Sequence, residues 1–200
     1  MTLTTADGTL ILVYCGSRMP DNDAYVAATR LVADRMADMG IGLVYGGSGN
    51  GLMGILAKRL LERDGHVTGI LPSFLHTTEI ALTTCTELVE VSSMHERKLT
   101  MLDRAHAILA LPGGYGTMDE LFEAVTWRQI GLHNKPIAIL NVDGFYDHLS
   151  AQLDVMTRDG FLTAEARSHI RISCSIDDLL PWLQENASSL KPDPLLPRWT

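Results

Sequence analysis

Short runs of consecutive apolar residues recur along the chain. Each leads into glycine or polar residues and then into a segment with helical spacing. Thr9–Cys15 (TLILVYC), Ile41–Tyr45, His66–Leu71 and Ala107–Leu111 have strand length and are largely apolar. Strands buried on both faces read this way, as in a parallel sheet; half-exposed strands alternate. Glu87–Val91, Ile137–Asn141 and Ile170–Ser173 add shorter strands. Between them, Asp23–Met39 carries Tyr25, Ala28, Leu31, Val32, Arg35 and Met36 along a helix that Gly40 stops. A second helix follows the glycine loop Gly46–Gly54 and runs to Arg63. Ser92 or Ser93, with Glu96 in the first turn, opens a third that ends at Arg104. Thr117, with Glu120 three residues on, opens a fourth to Ile130. Gly144–Gly160 reads as a helix with Phe145, Leu149, Leu153 and Met156 on one face. Thr163–His169 is a short helix, and Ile176–Asn186 a last one capped by Ser175 or Asp177. Ser73–Thr86, which contains Glu79, is an irregular link long enough to cover something.

Strands alternating with helices predict an α/β fold: a Rossmann-like, doubly wound parallel sheet with helices on both faces. It forms a single domain over residues 1–186. Residues 187–200, with three prolines, form a disordered or surface-draped tail. In such sheets ligands bind in the crevice at the carboxyl ends of the strands. The polar and glycine-rich segments all leave those ends: Gly16-Ser17-Arg18 after the first strand, Gly46–Gly51 after the second, Met94–Lys98 after the fourth and Gly113–Glu120 after the fifth. They are expected to line one edge together.

The stretch Leu109–Glu123 (LALPGGYGTMDELFE) dominates that edge. Gly113, Gly114 and Gly116 let backbone N–H groups approach a ligand without a Cβ in the way. The helix start beside them adds partial positive charge, which suits a phosphate. Glu120 has two readings. It is the reciprocal partner of Thr117 in a capping box, or a carboxylate placed beside a sugar whose phosphate the glycines hold. Arg97 and Lys98 stand near a helix N-terminus, where the dipole disfavours cations, so an anionic partner explains them better than helix stability. Gly49, Gly51 and Gly54 match the G-x-G-x-x-G dinucleotide pattern. The next strand, however, ends at Pro72 without the acidic residue that NAD binding requires.

Composition narrows the classes. Two hundred residues, 46% apolar and 20% charged, are ordinary for a soluble globular chain. A net charge of −8 argues against nucleic acid or an anionic membrane as partner, so a phosphate site must be local. No apolar run is long enough to span a bilayer, and MTLTTADGT lacks the features of a signal peptide. Cys15, Cys85 and Cys174 are scattered and show no metal spacing. They read as reduced thiols in a cytoplasmic protein, Cys15 as a core residue. No metal site and no cofactor is expected.

GGYGT lacks the lysine of a Walker motif, so phosphoryl transfer is poorly served. Cleavage of an N-glycosidic bond fits the set better. The ribose becomes oxocarbenium-like as the base departs, and a carboxylate stabilises that charge or activates water. The alternatives are a non-catalytic nucleotide or cofactor carrier using the same crevice, and an NAD-dependent enzyme.

PGGYGTMDE (Pro112–Glu120) is similar to the PGGxGTxxE signature of the LONELY GUY (LOG) family, and MHERK (Met94–Lys98) to its MHxRK segment. YCGSR, GGSGNGLMG and Thr126–Pro136 resemble its other blocks in order. The resemblance runs from Leu10 to Phe161. It implies a Rossmann-like cytokinin riboside 5′-monophosphate phosphoribohydrolase that releases an N6-substituted adenine and ribose 5-phosphate, many members also cleaving AMP. It implies Arg97 and Glu120 as the catalytic pair. The substrate would be held by Gly113, Gly114, Tyr115, Gly116 and Thr117 at the phosphate, with Lys98 and Glu79. Gly16, Ser17, Gly46, Gly47 and Met94 complete the crevice as substrate-binding candidates. The resemblance also implies a homodimer, with hexamers in some members, and no cofactor or metal. Ser48 departs from the family's usual third glycine, and Arg18-Met19 stands where small residues are common; both bear on substrate preference rather than on the reaction.

Overall fold

The structure, a computed structural model, describes residues 8–75 and 81–188. In chain order the elements are β1 (Leu10–Tyr14), α1 (Asp23–Asp38), β2 (Gly42–Tyr45), α2 (Gly51–Leu61), β3 (Val67–Pro72), β4 (Glu87–Val91), α3 (Met94–Arg104), β5 (Ala107–Ala110), α4 (Tyr115–Gln129), β6 (Ile137–Leu140), α5 (Asp147–Arg158), α6 (Ala164–Arg167), β7 (Ile170–Ser173) and α7 (Ile176–Ser188). The strands form one parallel sheet in the order β4-β3-β2-β1-β5-β6-β7. The apolar runs become strands for the expected reason: Leu10–Tyr14, Gly42–Tyr45 and Ala107–Ala110 are buried at every position.

Side chains alternate across the sheet, and two cores result. Ile11, Val13 and Cys15 pack with Val32 and Met36 of α1, Leu56 and Leu60 of α2, and Leu179 and Leu183 of α7. Leu10, Leu12 and Tyr14 pack on the other face with Met101 and Leu102 of α3, Leu121 of α4 and Leu153 of α5. Chain direction across the sheet reverses between β1 and β5, which are hydrogen-bonded neighbours. The connections leaving these two strands lead to α1 and α4 on opposite faces of the sheet, and a crevice opens between them.

Several boundaries differ from the sequence reading. The helix expected from Thr117 begins at Tyr115, after Gly114 as cap. The helix expected from Gly144 begins at Asp147, because a short 3-10 turn over Val142–Gly144 comes first. Asn141 makes that turn, its amide side chain accepting from the Tyr146 N–H and donating to Asp147. Phe145 therefore lies ahead of the helix and not on its buried face. Of the link 73–86, Ser73–Leu75 is a single 3-10 turn, and Ala81 pairs with Ser48 in an antiparallel bridge. Glu79 and the tail 189–200 lie outside the described residues. Ser175 caps α7 by accepting from the Asp178 N–H. Among the described residues no helix is long and apolar enough to cross a membrane.

Candidate active site

A cavity of about 880 Å³ occupies the crevice at the β1/β5 switch point. Gly16, Ser17 and Arg18 line it from the β1 loop, Met94 and Arg97 from α3, and Gly113–Thr117 and Glu120 from the β5 loop and α4. Predicted residues from three separate segments thus share one wall.

The β5 loop meets α4 without a side-chain cap. The first intrahelical bond runs from the Met118 N–H to the Gly114 carbonyl, so the N–H groups of Tyr115, Gly116 and Thr117 precede the helical ladder. A Cβ built on Gly114 or Gly116 would meet nothing, since the space there is open. Gly113 is different: a Cβ would collide with Thr117 Oγ1 and crowd the Gly16 N–H. Its bareness lets the β1 and β5 loops touch, and the Gly16 N–H donates to the Pro112 carbonyl at 3.1 Å. This uncapped helix end, with helix dipole and open floor, is suited to an anion.

Because α4 starts at Tyr115, Thr117 is within its first turn and Glu120 within its second. The reciprocal capping of these two, one of the two readings above, is not the geometry observed. Glu120 is buried, 5% exposed, and Oε1 lies 3.6 Å from Arg97 Nη1. Burial, opposed by Arg97, pushes the Glu120 carboxyl up to about 7; Asp119 and Glu123 add to the rise and Lys98 counters it. Arg97 is itself 6% exposed. Its Nε donates to the Ile70 carbonyl at 3.2 Å and its Nη2 to the Gly46 carbonyl at 2.9 Å. The guanidinium thus bridges the carboxyl ends of β2 and β3, while Nη1 donates to Met94 Sδ at 4.0 Å and faces Glu120 as an ion pair. Ser93 fixes the start of α3 by accepting from the Glu96 N–H, while the Glu96 carboxylate accepts from the Ser92 N–H and hydroxyl.

Other predicted residues are elsewhere. Gly46 and Gly47 do not line the cavity. Gly46 makes room for Arg97, which a Cβ there would strike. Gly47, at φ +77°, packs on the Ile70–Leu71 backbone, and its carbonyl accepts from the Leu82 N–H. Lys98 turns away from the cavity and lies 2.5 Å from Glu123 and 3.3 Å from Asp119. Cys15 is buried as expected, but it also lines the cavity; burial, with Glu120 nearby, pushes its thiol far up, so it is no nucleophile at neutral pH.

The apolar part of the lining was not singled out from sequence. It includes Leu52 and Met53 at the start of α2, Tyr25, Phe74 and Phe145. Tyr25 and Phe145 meet edge to face, with ring centroids 5.5 Å apart. The rule that placed the other loops could have found Phe145, which follows the carboxyl end of β6.

The family described as "Possible lysine decarboxylase" matches residues 53–182. A cytokinin riboside 5′-monophosphate phosphoribohydrolase of Arabidopsis thaliana, LOG2, is 42% identical over 175 residues, which is 88% of this chain and 82% of that protein. The chain belongs to the LOG family. A second member, the rice cytokinin riboside 5′-monophosphate phosphoribohydrolase LOG, is 41% identical over 88% of this chain and 72% of its own length. Solved structures share the fold. The molybdenum cofactor binding protein of Rippkaea orientalis superposes with a TM-score of 0.68 at 19% identity, over 90% of this chain and 98% of that one. The Moco carrier protein of Chlamydomonas reinhardtii gives 0.68 at 15% identity, over 92% and 99%. The decarboxylase description of the LOG family implies pyridoxal phosphate, which needs a lysine amine. No lysine lines the cavity among the described residues, so the site does not fit that cofactor.

Proposed function

We propose that this LOG-family chain hydrolyses the N-glycosidic bond of cytokinin riboside 5′-monophosphates, and of AMP, to free base and ribose 5-phosphate. The observation that carries the reading is a buried carboxylate, Glu120, held against Arg97 in the same cavity as the uncapped start of α4. Family membership supports the same activity. The N–H groups of Tyr115, Gly116 and Thr117 hold the 5′-phosphate and so keep the ribose in register; binding energy at the phosphate then serves the chemical step. The C1′–N9 bond lengthens and positive charge gathers on the ribose. Ionised Glu120 stabilises that charge and takes a proton from the water that attacks C1′; the proton then passes to the departing base, which restores the carboxylate. Arg97 Nη1 holds the carboxylate in place, while its other nitrogens stay fixed on backbone carbonyls. Tyr25, Leu52, Phe74 and Phe145 supply the apolar wall for the base and its substituent.

The functional unit on this reading is a homodimer. Exposed Phe122 and half-buried Trp127 border a groove on α4 that gives such a contact a surface. Light scattering on the purified protein measures its molar mass directly.

The test of activity is base release from isopentenyladenosine monophosphate, AMP and isopentenyladenosine, separated by chromatography. Free base from the monophosphates, with little from the nucleoside, is expected. Stoichiometric nucleotide binding with no free base from any of them would make the protein a carrier.

A further inference from the structure

Glu120 has a second side. Beneath it, away from the cavity, a narrow gap is lined by Tyr14 of β1, Lys98 and Leu102 of α3, and Glu120, Glu123, Ala124 and Trp127 of α4. The gap has no room for a water molecule. Lys98 spans one wall, its ammonium on Glu123 at 2.5 Å and on Asp119 at 3.3 Å, and it is only 15% exposed. The other oxygen of Glu123, Oε1, is buried with no hydrogen-bond partner. Glu123 is 24% exposed and Asp119 62%, so Glu123, with its inner oxygen buried, is the less screened of the two anions that Lys98 holds.

We propose that Lys98, with Glu123 and Asp119, is a positioning cluster that sets the protonation of Glu120 from behind and does not touch the substrate. This rests on the hydrolase reading only in giving Glu120 its task. Among the described residues, the charged or titratable groups packed on Glu120 are Arg97 and Lys98 on α3, Asp119 and Glu123 on α4, Tyr14 on β1 and Cys15 just past its end. Arg97 and Lys98 favour the carboxylate; Asp119 and Glu123 oppose it. Tyr14 stays neutral, since burial and then Glu120 and Glu123 push its hydroxyl well above the ordinary value. Lys98 stays charged: burial works against it, but Glu123 and Asp119 hold it above the ordinary lysine value. One cation thus cancels two anions at the back of the reacting carboxylate. Its removal leaves both uncompensated.

The sign of the effect separates this role from substrate binding. Lys98→Gln raises the Glu120 pKa, and Glu123→Gln lowers it. In the kcat/KM profile the acid limb moves the same way. At pH 6 the Lys98→Gln variant loses roughly threefold in kcat/KM, whereas at pH 8.5, where Glu120 is mostly ionised in both proteins, KM for AMP is unchanged. Lys98→Arg keeps the cation and restores most of the loss.

The experiment is a carboxyl 13C NMR titration of glutamate-labelled protein in the wild type, Lys98→Gln and Glu123→Gln, with Glu120→Gln assigning the resonance. Opposite shifts in the two variants support the cluster. An unmoved Glu120 resonance, or a higher KM at every pH with an unmoved profile, overturns it and makes Lys98 a substrate contact. If Lys98→Gln does not fold, Glu123→Gln decides by its downward shift or the lack of one. The titration needs no turnover. Absent base release with shifted resonances would therefore sink the hydrolase reading and leave the cluster standing.

Discussion

On the proposed mechanism, Glu120 combines reactivity with a stability cost. Its carboxyl, buried beside Arg97, ionises at about 7 rather than in the ordinary carboxylate range. Ionised Glu120 is the active form on the proposed mechanism, so kcat/KM is expected to fall tenfold per pH unit below about 7. A pH–rate profile on AMP checks this. Glu120→Gln abolishes base release with only modest loss of nucleotide binding; near-normal turnover in that variant would remove Glu120 from the mechanism. The same raised pKa implies a sign for stability. Between the unfolded and folded values the native protein binds more protons than the unfolded chain, so stability falls as pH rises through that window. The shift from 4.5 to about 7 corresponds to about 3 kcal/mol. In urea melts, the stability of wild type relative to Glu120→Gln should decline by roughly that amount between pH 4 and pH 8.

At the scale of elements, the site depends on where helices start. α4 begins at Tyr115 and leaves its first N–H groups without a side-chain cap, facing open space at Gly114 and Gly116. Gly114→Ala fills part of that space without meeting any atom. It is expected to leave the melting temperature within a degree or two and to raise KM for the monophosphate roughly tenfold. Steady-state kinetics and calorimetry together test it; an unchanged KM would place the phosphate elsewhere. The β2 loop acts through α3. Gly46 gives up its Cβ so that Arg97 reaches the Gly46 and Ile70 carbonyls. Gly46→Ala displaces the guanidinium, and kcat should fall on the order of a hundredfold with smaller change in KM.

On the whole-molecule scale, the order in which strands are added to the parallel sheet reverses between β1 and β5, and the cavity opens there. The chain carries a net charge of −8, yet the start of α4 and Arg97 make this crevice locally favourable to an anion. Ligand that binds only the folded state stabilises it by about 2.7 kcal/mol at a hundred times its Kd. A nucleoside monophosphate at that excess should raise the melting temperature by roughly 5–10 °C, and the free nucleoside at equal concentration by much less. Equal shifts from the two would count against a phosphate cradle.

The alternation of buried apolar runs with helical segments determined the layered parallel sheet, because strand burial and helix period are local patterns of 4–16 residues. The carboxyl-end rule then determined which loops gather: Gly16–Arg18, Met94–Arg97 and Gly113–Glu120 meet in one cavity. Tertiary structure decided what each side chain does there. Thr117 and Glu120 have the spacing of a capping box, yet α4 starts two residues earlier and buries both. Lys98 follows Arg97 directly, but on a helix adjacent residues point about 100° apart, so one faces the cavity and the other the acidic residues of α4. Gly46 reads as a substrate-binding glycine, yet it lies off the cavity wall and gives clearance to an arginine from a distant segment. Sequence spacing carries the backbone's period; contacts between remote segments, and the dielectric they create around Glu120, exist only once the chain is folded.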